Sequence, residues 1–127
     1  MLRFMMILIA GPYRSGTGDV PELMARNLAR LESVSYEVFR AGHVPMIGEW
    51  VALPVWRTAG GREVGDALYD EILHPTAGRL LEHCGAVLRL EGKSAGADND
   101  VRIASKRGLP VYYRVEDLPG YELNSKP

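Results

Sequence analysis

Ser94-Ala95-Gly96-Ala97-Asp98-Asn99-Asp100 brings a hydroxyl, a glycine and two carboxylates into one short stretch. Gly11-Pro12-Tyr13-Arg14-Ser15-Gly16-Thr17-Gly18 sets a phenol and a guanidinium among glycines. Each segment follows an apolar run, residues 6–10 and 86–90, that reads as a buried strand, and each opens a helical pattern. In α/β proteins ligands sit at the carboxyl ends of strands, where the chain turns into helices. The two segments are therefore expected to face one crevice. The first loop, Gly11 and Pro12 through Ser15, can hold an anion at a helix start through the backbone amides of its residues other than proline. Arg14 can pair with that anion, and Tyr13 can pack on or hydrogen-bond a ligand. In the second segment Gly96 and Ala97 let the backbone approach a ligand closely, and Asp98 and Asp100 fall in the first helical turn. The macrodipole favours ionised carboxylate there, so either acid is expected to stay charged at neutral pH. A charged, positioned carboxylate is a competent nucleophile toward an anomeric carbon, as in retaining glycosidases.

Each candidate has a plainer alternative. First-turn acids are common helix-start residues, and Arg14 can be a solvated loop charge. Gly11 and Gly16 have P-loop spacing, but Thr17 stands where that motif needs lysine, which argues against a nucleoside-triphosphatase. Asp70 and His74 are four residues apart and share a helix face, either to contact a base or sugar or simply to face water. Cys84 suits a buried small hydrophobe rather than a nucleophile. One Cys and three scattered His (His43, His74 and His83) do not make a zinc set, so no metal is expected.

The elements that must position these residues can be read along the chain. A first strand is expected over 4–10, buried on both faces. Asp19, Pro21 and Glu22 predict a capped helix start, followed by one mostly helical stripe from Leu23 to Val38 that Gly42 stops. A short strand is expected over 43–47, and an irregular stretch over 49–61, where Trp50 and Trp56 flank Pro54. That stretch reads as a packed lid, a subunit contact or a base-binding wall. A helix over 64–84 is expected to kink or split at Pro75. A strand over 86–90, a helix over 97–107, a last strand over 110–114 and an irregular tail over 116–127 complete the chain. Alternating strands and helices predict one doubly wound α/β domain over 1–127, with four or five mainly parallel strands and helices on both faces.

The 127 residues suit one hydrophobic core. A formal charge of −1 gives no bulk field for nucleic acid or a membrane surface. No apolar run is long enough to span a bilayer. The apolar run after Arg3 is too short for a signal peptide and lacks a small-residue cleavage site. A single cysteine fits a reducing, cytoplasmic compartment.

Ile9-Ala10-Gly11-Pro12-Tyr13-Arg14, Gly42-His43-Val44-Pro45 and Ser94-Ala95-Gly96-Ala97-Asp98-Asn99-Asp100 with Ala104 resemble the nucleoside 2-deoxyribosyltransferase-like superfamily. Within it the chain is most similar to a small bacterial branch near the nucleotide N-hydrolases. The resemblance implies a flavodoxin-like domain assembled as homodimers or larger homo-oligomers. It implies cleavage of the N-glycosidic bond of a small-molecule nucleoside or nucleotide, with the sugar passed to water or to another base, and no cofactor or metal. The superfamily's glutamate nucleophile falls at Asp100, one methylene shorter, with Asp98 as a second candidate. Ser94 stands where nucleotide hydrolases carry a phosphate-binding serine, and Tyr13 matches a tyrosine that places nucleophile and sugar. Two departures matter: Gly85 replaces a common Asp, and the helix acid near the base or sugar falls close to Ala77. Asp70, Glu71 or His74 could replace that acid. The resemblance thus implies a nucleoside 5′-monophosphate N-glycosidase, with a deoxyribosyltransferase or a non-catalytic nucleotide-binding module as alternatives.

Overall fold

The apolar run Met6–Ala10 forms the first strand (β1) of a computed structural model that describes residues 4–124. Side chains alternate across a strand, so Ile7 and Ile9 enter one core and Leu8 and Ala10 the other. The remaining strands are β2 (Val44–Met46), β3 (Cys84–Arg89) and β4 (Val111–Tyr112). All pair in parallel in the order β2-β1-β3-β4. The expected doubly wound α/β architecture is therefore present, with four strands. Strand order reverses between β1 and β3, and in such sheets the ligand crevice opens at that switch point.

Among the described residues six helices surround the sheet: α1 (Pro21–Glu32), α2 (Ser35–Arg40), α3 (Gly48–Thr58), α4 (Ala67–Leu81), α5 (Ala95–Lys106) and α6 (Tyr121–Asn124). Leu31 of α1 and Val38 of α2 close one face over Ile7, Ile9, Ala86 and Leu88. Leu81 of α4 and Ala97 and Ala104 of α5 close the other over Leu8, Ala10 and Val87. None of the described helices is long and apolar enough to cross a membrane.

Several boundaries depart from the sequence expectation. The stripe 23–38 is two helices, because the Ser33 and Ser35 hydroxyls bond the Arg30 and Glu32 carbonyls and compete with helix continuation. Asp19 does not cap α1. Its φ is +60°, its carboxylate is taken by Arg14, and Val20 holds the cap position. Stretch 49–61 is mostly helix α3 rather than irregular, despite Pro54. Helix α4 begins at Ala67, where Asp66 caps it by accepting from the Tyr69 amide at 2.7 Å. It runs unbroken through Pro75, which lies on its exposed side, where water can serve the carbonyl that proline leaves unpaired. Cys84 opens β3 instead of ending a helix; it is buried, and desolvation pushes its thiol up to about 11. The expected irregular tail contains a 3₁₀ turn (Val115–Asp117) and α6 within the described residues. His43 Nε2 lies 2.7 Å from the Pro119 carbonyl and ties this segment to the sheet.

Candidate functional site

A cavity of about 450 Å³ opens at the carboxyl ends of β1 and β3, within the size range of small-molecule pockets. Both loops singled out from sequence line it: Gly11, Tyr13, Arg14 and Ser15 from the first, and Ser94, Gly96, Ala97 and Asp100 from the second. Asp70 and His74 line it from α4, with Ala77 one turn further on.

The α5 wall is built by local rules. Ser94 is buried and caps the helix, its Oγ accepting from the Ala97 amide at 3.1 Å. Spacing of three carries the inner face from Ser94 through Ala97 to Asp100. No atom stands within 4 Å of where a Gly96 Cβ would be, so the backbone there is open to the cavity. Asp98 does not line the cavity. Its side chain is 66% exposed and pairs with Arg89 at 2.9 Å. Arg89 is buried, also donates to the Gly92 and Leu90 carbonyls, and so fixes the loop before α5. Pro12 also stays outside the lining, packed toward Gly92.

Asp100 overturns the expectation of a permanently charged acid. It sits in the second turn of α5, beyond the reach of the helix terminus. Desolvation, and then the Glu49 charge, push its carboxyl up to about 7, against a smaller opposing pull from Arg89.

The first loop is held by its own side chains. Thr17, where a P-loop would need lysine, is buried and donates to the Arg14 carbonyl at 2.5 Å. Asn27 of α1 donates to the Tyr13 carbonyl at 2.8 Å. The Arg14 guanidinium grips both Asp19 oxygens at 2.6 and 3.1 Å and lies 3.9 Å from Asp70. Its carbon sits 5.9 Å from the centroid of the Tyr69 ring. Arg14 therefore faces the cavity already paired rather than as a free charge. A Cβ on Gly11 would come 2.8 Å from Leu31 Cδ2, so this glycine is required for close packing of α1.

Four site residues escaped the sequence reading. Glu49, in the first turn of α3, lines the cavity with Gly48, and burial raises its carboxyl above the ordinary range. Tyr69 lines the α4 side, its ring edge-on to Trp56 at 6.1 Å. Asp66 accepts from the Trp56 indole at 3.0 Å and thereby links α3 to α4. Gly65, at φ +98°, leaves room for the Arg14 guanidinium, which any Cβ there would strike. A signal for Glu49 was present: it follows β2, a third strand-to-helix junction at the same end of the sheet. Of the two tryptophans, Trp56 is buried behind Tyr69 and Trp50 donates to Glu32 at 2.7 Å; neither lines the cavity.

Tyr13 shares the cavity with both acids. Burial, then the Glu49 charge, raises its phenol above the usual value, so it remains protonated at neutral pH. Among the described residues no group of His, Cys, Asp and Glu is arranged to hold a metal ion. The chain has no significant match among protein-family models, curated proteins or solved structures. Its likeness to the deoxyribosyltransferase-like superfamily rests on the loop motifs alone.

Proposed function

We propose that the protein cleaves the base–sugar bond of a nucleoside 5′-monophosphate, with Asp100 as nucleophile. The observation that carries this reading is the inner face of α5, where the Asp100 carboxyl lies in the same cavity wall as Ser94 and the backbone of Ala95 and Gly96. A phosphate at that helix start meets amides without intrahelical partners and the positive end of the dipole. The Ser94 hydroxyl, which accepts from Ala97, still has its own proton to donate to a phosphate oxygen. Asp100 lies one and a half turns further along and faces the sugar's anomeric carbon. Tyr13 orients the sugar or the carboxylate. Asp70 and His74 face the ligand from α4. Water completes hydrolysis, and an acceptor base in its place gives transfer.

The single cysteine suits a reducing, cytoplasmic setting. Exposed Trp50, Val51 and Val55 on α3 suit contact between copies of the chain in a homo-oligomer.

A second reading, a nucleotide-binding module without turnover, is favoured by one observation. Burial and the Glu49 charge push the Asp100 carboxyl up to about 7 and so favour its protonated form, and a protonated carboxyl is not a nucleophile. Free-base release from ribo- and deoxyribonucleoside monophosphates and the matching nucleosides separates the two. Release from monophosphates that Asp100→Asn abolishes is the expected result. Nucleotide binding without release, with activity appearing in Asp100→Glu, would establish the binding module.

A further inference from the structure

Five carboxylate or guanidinium side chains line the cavity, and their pairings leave two acids unmatched. Arg14 and Asp19 neutralise each other, and Asp70 lies 3.9 Å from the same guanidinium. Glu49 and Asp100 have no such ion pair among the described residues. They approach from different elements, α3 and α5, and both line the cavity. We infer that Glu49 is a second catalytic residue, the general acid and base that protonates the departing base and then activates water. The inference rests on the base-release function proposed above.

The surroundings of Glu49 suit that role. It is set in the wall beside Gly48, with Tyr13 on the first loop, Tyr69 on α4 and Asp100 on α5 as the titratable groups that feel its charge. Arg57 bears on Tyr13, and among the described residues no cation offsets Glu49 itself. Two carboxyls that line one cavity, both raised by burial and one also by the other's charge, titrate as a pair. One shared proton leaves one acid and one carboxylate, which is the charge state that displacement at an anomeric carbon needs. The productive form of the pair has the proton on Glu49 and the charge on Asp100; the Arg89 guanidinium favours that form, against the Glu49 charge that favours the reverse. Alternatives on the opposite wall are poorer: Asp70 is exposed and near Arg14, His74 is exposed, and Ala77 has no proton to give.

In the first step an Asp100 oxygen bonds to C1′ as the C1′–N bond breaks. The bonding pair leaves with the base nitrogen, and the Glu49 proton goes to the base. In the second step water bonds to C1′ and gives a proton to the Glu49 carboxylate. The C1′–O bond to Asp100 breaks as the water oxygen bonds, and its pair returns to the carboxylate. The enzyme ends in its starting protonation state.

The test compares leaving groups. Wild type, Glu49→Gln, Glu49→Asp and Asp100→Asn are assayed on ribo- and deoxyribonucleoside monophosphates. They are also assayed on the 4-nitrophenyl glycoside of the same sugar phosphate, whose leaving group departs without a proton. Glu49→Gln is expected to lose about 100-fold or more on the nucleotide and only a few-fold on the aryl glycoside. It should also lose the alkaline limb of the pH–rate profile, while Glu49→Asp regains part of the nucleotide rate. Asp100→Asn should lose both substrates. Unchanged nucleotide turnover in Glu49→Gln, or equal losses on both substrates with the circular-dichroism spectrum intact, would overturn the assignment. Wild type that releases nothing from any substrate would instead overturn the base-release function itself, and the role of Glu49 with it.

Discussion

The two walls of the cavity face the same space but are assembled differently. The α5 wall is one continuous segment, in which a cap, a glycine and an acid fall on one face through helical spacing alone. The α3–α4 wall is gathered from residues far apart in the chain: Glu49, Gly65, Asp66 and Tyr69, joined through Trp56 and reaching Arg14. The first kind of site depends on local backbone rules and the second on tertiary packing. Local order can therefore be perturbed one residue at a time, whereas the packed wall should fail as a unit.

The largest expected effect lies on the local wall. Asp100→Asn should lower base release by about a thousandfold or more, as removal of a covalent nucleophile does. Chromatographic detection of the free base measures it, and an unchanged rate would remove Asp100 from the mechanism. On the packed wall Trp56→Ala removes a buried indole that spans α3 and α4, and should cost about 3–5 kcal/mol. Urea unfolding reads that loss. A value near zero would mean that the two helices do not depend on each other.

Asp100 also links the walls through pH. Its folded-state carboxyl, at about 7, lies above its unfolded value of 3.8, so the folded chain holds the proton more tightly. That stabilisation is complete below the unfolded value and is lost as the pH rises through about 7. Asp100→Asn should therefore be more stable than wild type by up to about 4 kcal/mol near pH 8. The gain should fall away below about pH 4, and a gain that does not change with pH would mean that the fold does not raise the Asp100 carboxyl.

Ser94→Ala should cost about 1 kcal/mol through loss of the α5 cap. It should also weaken monophosphates more than nucleosides, and equal weakening would place the phosphate elsewhere. The smallest effect is expected at Asp19→Asn, which releases the Arg14 guanidinium from an exposed partner. Calorimetric titration should show a few-fold tighter nucleotide affinity; weaker affinity would make the Arg14–Asp19 pair part of the binding surface.

The same contrast explains what could be read from the sequence. The parallel sheet, the switch-point location and both βα loops follow from apolar runs and glycines close together in the chain. Asp100 was legible as a residue, but its charge state was not, because that depends first on burial in the folded cavity and then on Glu49, fifty-one positions away. Prolines misled at both ends of the second wall. Pro54 made α3 look irregular and Pro75 made α4 look broken, yet helix packing and an exposed proline face outweigh the lost hydrogen bonds. Arg89 and Thr17 gave no local hint, because their partners are carbonyls of loops whose paths only the fold defines.

The outer strands of the sheet have a consequence for solubility. β2 is three residues long and contains Pro45, and β4 is two residues long and follows Pro110. A parallel sheet is otherwise open at both sides, with unpaired amides and carbonyls that invite a neighbouring chain to add a strand. Edges this short, one of them lacking an amide at its proline, offer too few consecutive hydrogen bonds to template such growth. The long apolar strands β1 and β3, the segments most able to form fibrils, are thereby enclosed between borders that resist aggregation.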